Sequence, residues 1–293
     1  MKRIYNILLL GSFIFLVIFL IRQEYIVPMV IHPWYMFFSF LLLFAGFYSS
    51  TLSWRTALAS HGIKCSRSEA LISHGQSVFA KYIPGKIWVI LGRAGYISND
   101  KKELKNHAFI SLKEQLIYLW AGFLISCIPT IIFYGIQWVS ILVALTIAGL
   151  SLFLFIKPVH TLLLSLIHRI TRKSLDIPHV KFTASFPMIG AVLLIWIFWT
   201  AGFYLFMLAL STEITPIMMF AFPLSVSFGL LAVILPGGLG LREGIIIGYL
   251  VLAGLDIESA STISIMNRFW FICGELFIFL LASLVRVMSK KRA

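Results

Sequence analysis

ILPGGLGLREGIIIGYL, Ile234–Leu250, sets a Pro-Gly-Gly break and an adjacent Arg–Glu pair inside an otherwise apolar stretch. Pro236 removes a backbone N–H and clashes with the preceding turn, while Gly237, Gly238 and Gly240 accept angles that reverse the chain. The stretch reads as a broken membrane helix with something polar to hold. An ionisable residue deep in a bilayer costs roughly 2.5–3.5 kcal/mol, so such residues face a cavity or pair with one another. Neighbouring residues on a helix point about 100° apart, which makes Arg242 and Glu243 poor partners for each other. Each needs something else. For Arg242 two readings stand side by side: a ligand anion, or a structural ion-pair network involving Arg268 or Glu275.

The rest of the chain supports a membrane setting. Of its 293 residues 60% are hydrophobic and 12% charged, against roughly 25% charged in soluble domains. The longest polar stretch, about Ser98 to Lys105, is too short for a soluble core. A net charge of +13 would suggest nucleic acid in a soluble protein; here cytoplasmic loops and anionic lipid explain it, and no nucleic-acid partner is expected. Cys65, Cys127 and Cys273 are scattered and form no metal or disulfide pattern, Cys127 and Cys273 reading as packing residues. No cleavage site follows Ile4–Ile21, which reads as a retained first helix.

A span needs about 20 apolar residues. Six stretches qualify: Ile4–Ile21, Trp34–Leu52, Ala108–Tyr134, Trp138–Ile156, Phe186–Leu210 and Ser264–Val285. Two further regions, Glu69–Ser98 and Pro216–Leu255, each hold two helical segments around a Pro-Gly break, at Pro84–Gly85 and Pro236–Gly237. Freed backbone groups at membrane depth must be met by protein or by water in a cavity, so both regions read as helical hairpins, re-entrant or fully crossing. The expected fold is an all-α polytopic membrane protein of six full spans plus two hairpins. The first half covers 1–156 with hairpin 69–98. A basic amphipathic linker helix falls within 157–181, and the second half covers 182–293 with hairpin 216–255.

With both termini in the cytoplasm, twenty-one of the 24 basic residues fall on cytoplasmic flanks; only Arg22, Arg242 and Arg268 do not. The hairpins then leave from opposite faces, the plan of an inverted repeat. Ser111–Ile125 and Ser264–Ile278 echo one another, 27 and 28 residues after Pro84 and Pro236.

KYIPGK, Lys81–Lys86, followed by Trp88 and Arg93, brings three cations to a helix break, a setting that suits a phosphate. Lys81 reads as an ordinary cytoplasmic flank, whereas Lys86 and Arg93 lie within the apolar run. Tyr82 and Trp88 read as interfacial anchors, with headgroup stacking the alternative. Glu275 midway along the last span and Glu114 at the start of the third suit proton coupling or a structural pair. Asn267 and Arg268 read as lying near the outer end of the last span, as an extracellular headgroup gate or a plain interfacial cap. No HExxH, GxSxG or Walker lysine occurs, so neither metal nor nucleotide cofactor is expected. The external loops are short and carry few acids, which makes an enzyme the weaker reading.

KYIPGKIWVILGR and LPGGLGLREG together resemble the lysylphosphatidylglycerol synthase transmembrane family. The resemblance runs from about Trp34 to the end. It maps Tyr82, Pro84, Gly85, Lys86 and Arg93 onto one motif and Pro236, Gly237, Gly238, Gly240, Arg242 and Glu243 onto the other. The best-known members join a flippase-like membrane domain to a cytoplasmic aminoacyl-transferase domain. Only eight residues follow Val285 here, so synthesis is not implied. What the resemblance implies is movement of a phosphate-bearing lipid between leaflets of a bacterial inner membrane. Lys86, Arg93 and Arg242 would hold its headgroup, with Gly237, Gly238 and Glu243 beside them. Stand-alone relatives suggest an envelope glycolipid or polyprenyl-lipid pathway. A non-transporting accessory of an envelope glycosyltransferase and a soluble-anion transporter are the alternatives.

Overall fold

The computed structural model describes residues 29–83, 87–171, 182–232 and 236–290. Every regular element among them is helical. They are α1 (Pro33–Ser60), α2 (Arg67–Ser77), α3 (Ile87–Ile97), α4 (Lys101–Tyr134), α5 (Trp138–Phe155), α6 (Lys157–Thr171), α7 (Phe182–Leu210), α8 (Ala221–Leu231), α9 (Leu241–Leu252) and α10 (Ile257–Lys290). Short 3₁₀ turns occupy Val78–Tyr82, Pro216–Phe220 and Pro236–Gly238. The expected first span, Ile4–Ile21, lies outside the described residues, as do Pro84, Gly85 and Lys86.

The protein is a multi-pass, membrane-embedded helical assembly. α1, α4, α7 and α10 are long and apolar enough to cross a bilayer; a fifth crossing is added if the α5–α6 pair, bent by 91°, is one broken span. Several helices outrun their apolar cores because polar caps start them early. The Asp100 carboxylate accepts the N–H groups of Lys102 and Glu103, both at 2.8 Å, so the polar stretch at 98–105 largely opens α4. Asp256 accepts the Ser259 N–H at 2.8 Å and starts α10. Two placements change as a result. Glu114 sits more than three turns inside α4 rather than at its start. Asn267 and Arg268 are buried about three turns into α10 rather than at an outer end.

The two Pro-Gly regions are built from short pieces. α2, α3 and α8 have 11 residues each and α9 has 12. At 1.5 Å per residue each runs about 16–18 Å, near half of a hydrocarbon core of about 30 Å. Ile83 is extended (φ −76°, ψ 128°), the conformation that the following proline imposes. Gly237, Gly238 and Gly240 all have φ between 59° and 82°, where a side chain would be strained. The two turns touch: Tyr82 packs its ring against Gly237, leaving no room for a Cβ there.

α6 is amphipathic as expected but starts at Lys157. Its His160 stacks on Phe153 at 5.0 Å, while Leu162 and Leu166 stay exposed. Cys127 is buried, in keeping with a packing role. Cys273 is not: it shares an outward stripe of α10 with Leu276, Leu280 and Leu284.

In a bilayer, helices associate by close packing, which small residues permit. The longest contact, α1 against α7, follows this rule. Gly46 of α1 lies under the Trp199 indole, whose N–H donates to the Leu43 carbonyl at 3.2 Å. Gly274 of α10 likewise lies under Phe47. Phe47, Trp199, Phe222 and Phe271 then form one aromatic cluster, with Phe271 5.0 Å from both Phe47 and Trp199. Gly46→Ala would drive a methyl into the Trp199 ring. It should lower stability by about 1–3 kcal/mol, read as a reduced thermal denaturation midpoint of the detergent-solubilised protein.

Candidate functional site: a cationic cavity among the short helices

α10 holds the 3₁₀ turns at Val78–Tyr82 and Pro236–Gly238 from one face. Glu275 forms an ion pair with Lys81 and accepts a hydrogen bond from the Tyr82 hydroxyl at 2.9 Å. Seven residues earlier, Arg268 pairs with Glu243 at 3.0 Å and donates to the Gly237 carbonyl at 3.2 Å. The Glu243 carboxylate also accepts the Gly240 N–H at 2.7 Å, closing the turn that opens α9. Glu275 is fully buried and Arg268 nearly so, which makes these contacts interior rather than surface pairs.

A second polar cluster lies between α1, α2, α3 and α4. Arg93 is 1% exposed. It pairs with Glu114 at 2.7 Å, donates to the Ser111 hydroxyl at 2.8 Å, and lies over the Trp54 ring at 4.7 Å. Ser53 donates to the other Glu114 oxygen at 2.7 Å. Arg93 can only donate, so its 3.4 Å contact with His74 Nδ1 makes that nitrogen an acceptor. The His74 proton then sits on Nε2 and points to Ser50 at 2.8 Å.

Between these clusters opens a cavity of about 800 Å³, within the usual range for ligand sites. It follows α4 from Lys101 to Leu119, about 27 Å at 1.5 Å per residue. Its walls are mostly apolar, from Ile87, Val89, Leu104, Phe109, Leu112 and Leu230 among others. Ile87 and Leu231 line it and are also exposed, at 52% and 44%, so the cavity reaches the molecular surface between α3 and α8.

Arg242 stands at the deep end. Its stem lies in a slot bounded by Gly229 and Gly238, either of which would strike it with a Cβ. The guanidinium rests over Phe271 at 5.1 Å, and Lys81 approaches the same ring at 4.9 Å. Arg242 is 7% exposed, its Nε has no hydrogen-bond partner, and it forms no ion pair among the described residues. An unpaired interior charge costs several kcal/mol unless something compensates it.

The residues singled out by the sequence divide accordingly. Arg242, Arg93, Gly237 and Glu114 line the cavity. Gly238 shapes the Arg242 slot, while Glu243, Arg268 and Gly240 fasten the second turn. Glu275 fastens the first. Arg93 and Glu114 satisfy each other, so Arg242 is the cation left over among the described charges of the two turns. Lys81 is a correction: it belongs to the site and not to a loop flank. Arg93 and Lys113, also counted with the flanking charges, are interior at 1% and 8% exposure. Tyr82 is a structural bond donor rather than an interfacial anchor. His74, Tyr118 and Phe271 escape a reading of the residues alone. Nothing in one sequence distinguishes them from ordinary packing residues, although Lys81 and Tyr82 directly precede the Pro-Gly break.

Outside the membrane segments, the Cys65 thiol is pushed up to about 11 by burial and by the nearby Glu69 carboxylate. It stays protonated at neutral pH and offers no nucleophile.

Helical spans, two touching turns and an apolar-walled cavity that holds Arg242 define a multi-pass membrane protein. Comparison with family models assigns it: residues 4–273 match the lysylphosphatidylglycerol synthase TM region, and the chain belongs to that family. Compared with curated proteins, the sequence matches none.

Breaking the Lys81–Glu275 pair from one side should leave an interior charge alone. Glu275→Leu is expected to cost about 3 kcal/mol, the lower end for buried pairs because a quarter of Lys81 stays exposed. The double variant Lys81→Met with Glu275→Leu should recover most of that loss. A double-mutant cycle on denaturation midpoints reads this, and additive losses would show that the pair is not coupled.

Proposed function

We propose that the protein moves a phosphate-bearing lipid, a phospholipid or a polyprenyl-linked envelope lipid, between the leaflets of the bacterial inner membrane. The observation that carries this reading is the unpaired Arg242 guanidinium at the deep end of an apolar-walled cavity. A soluble anion would have little use for such walls. A lipid matches both parts, its phosphate completing the charge on Arg242 and its chains lying against α3, α4 and α8 or in the bilayer beyond. Lys81 stands beside the same ring, and Lys86 and Arg93 remain part of the proposed headgroup path. The family's membrane region supports lipid handling in general terms.

The finer architecture belongs to this proposal. Six full crossings, including Ile4–Ile21, would flank two hairpins, re-entrant or fully crossing, in an inverted repeat, with both termini in the cytoplasm. Rocking of one half against the other would then expose the site to each leaflet in turn. The proposed role is transport without chemistry on the lipid, so neither metal nor cofactor enters it.

Arg242→Ala leaves no partner stranded, and it should keep or raise the denaturation midpoint. In proteoliposomes carrying labelled phosphatidylglycerol or a polyprenyl phosphate, the same variant should slow translocation at least ten-fold. Full transport by Arg242→Ala would remove the site assignment. No lipid movement by folded wild-type protein would favour an accessory role beside an envelope glycosyltransferase.

A further inference from the structure

The charge around the cavity is one-sided. Among the described residues five basic side chains line it, Lys81, Arg93, Lys101, Lys105 and Arg242, against one carboxylate, Glu114. That carboxylate is already engaged: Arg93 pairs with one oxygen and Ser53 donates to the other. Glu275 and Glu243 do not line the cavity, and they are held by Lys81 and Arg268. Lys101 and Lys105 are exposed at the end away from Arg242 and form no ion pair among the described residues.

An aromatic face is the other means of holding an ammonium group. The rings here are occupied as well. Arg242 and Lys81 lie over Phe271 at 5.1 and 4.9 Å, and Lys105 lies over Phe109 at 5.8 Å. Phe47 and Trp199 pack on each other at 4.9 Å. A headgroup that carried its own ammonium would meet cations and no free carboxylate, and an uncompensated charge in such a place is costly.

Two neutral groups complete the lining. Gln115 and Tyr118 lie three residues apart on α4, one turn from each other, and both line the cavity. Both are half-buried. Their polar ends have no partner among the described residues, and they are open rather than sealed in by packing. The Tyr118 ring is fixed by stacking on Trp196 at 4.4 Å, and Arg242 is near enough for its charge to act on Tyr118. A phenol hydroxyl both donates and accepts, and a carboxamide does so through two atoms. An alcohol, which also does both, is their complement; an ammonium can only donate.

We infer that the cavity takes anionic lipids whose headgroup beyond the phosphate is neutral and bears hydroxyls, a glycerol or a sugar, and rejects headgroups that carry an ammonium. Tyr118 and Gln115 read the hydroxyls while Arg242 holds the phosphate. The inference rests on the lipid reading of the cavity proposed above and adds its selectivity.

Native mass spectrometry of the full-length, detergent-purified protein tests it. The probes are dioleoylphosphatidylglycerol, a glucosyl polyprenyl phosphate, dioleoylphosphatidylethanolamine and its N-acetyl derivative. Wild type should bind the better of the first two, which identifies glycerol or sugar as the source of the hydroxyls, roughly ten-fold tighter or more than phosphatidylethanolamine. N-acetylation removes the positive charge and keeps the linkage, so it should recover most of that difference. Gln115→Glu supplies a carboxylate and should cut the preference several-fold. Tyr118→Phe combined with Gln115→Leu should weaken the preferred lipid several-fold, and dioleoylphosphatidylmethanol, which has no hydroxyl, less than two-fold. Equal binding of phosphatidylethanolamine by wild type would overturn the inference, and so would an N-acetyl derivative that binds as weakly as its parent. Those two comparisons need no variant to fold. Binding that depends on Arg242 but ignores the headgroup would sink the selectivity alone, whereas binding of every probe unchanged in Arg242→Ala would sink the cavity reading with it.

Discussion

The fold depends on one helix gripping two breaks. α10 presents Arg268 and Glu275 two turns apart, and each reaches a different Pro-Gly turn. Neither turn could sit inside a membrane alone, because a broken helix leaves backbone groups that hydrocarbon cannot satisfy. Arg268 meets the Gly237 carbonyl and the carboxylate that caps α9; Glu275 meets the cation and hydroxyl that end the first turn. With both turns anchored to a common rod, the Tyr82 ring can close on Gly237, and the space left between the arms becomes the cavity.

The same arrangement explains which charge is left over. Among the described residues the carboxylates of Glu114, Glu243 and Glu275 stand beside the short helices and their turns, and each is taken by a cation: Arg93, Arg268 and Lys81. Arg242 is seated just as carefully, its stem in a slot between two glycines and its head on an aromatic ring, yet no carboxylate pairs with it there. A purely structural arginine would be expected to have a counter-ion, since the desolvation of a guanidinium is otherwise uncompensated. On the proposed reading Arg242 is kept for a ligand anion, and the three pairings hold the nearby carboxylates away from it.

Some of this was legible in the residues. A Pro-Gly-Gly break followed by Arg and Glu, in a chain this apolar, already dictates a broken membrane helix with interior charges. The angular separation of adjacent helical side chains dictates that Arg242 and Glu243 do not serve each other, and they do not. Boundaries were less legible. Polar residues such as Asp100 and Asp256 look like loop, but as caps they extend the helices and draw Glu114 and Arg268 inward. Lys81 looks like a flanking charge for the same reason: burial is a property of what packs around a residue, not of its neighbours in sequence.

Local chemistry was enough to dictate the membrane as solvent, the helical class, the two breaks and the residue types that must sit beside them. Each follows from apolar length, proline, glycine or the cost of a charge in hydrocarbon. Which cation meets which carboxylate was left to the packing of the helices. Lys81 and Glu275 are 194 residues apart, and no periodicity links them or the much closer Arg93 and Glu114. Pairing over such separations is set by how α10 and α4 pack against the short helices, and only that packing leaves Arg242 without a carboxylate partner among the described residues.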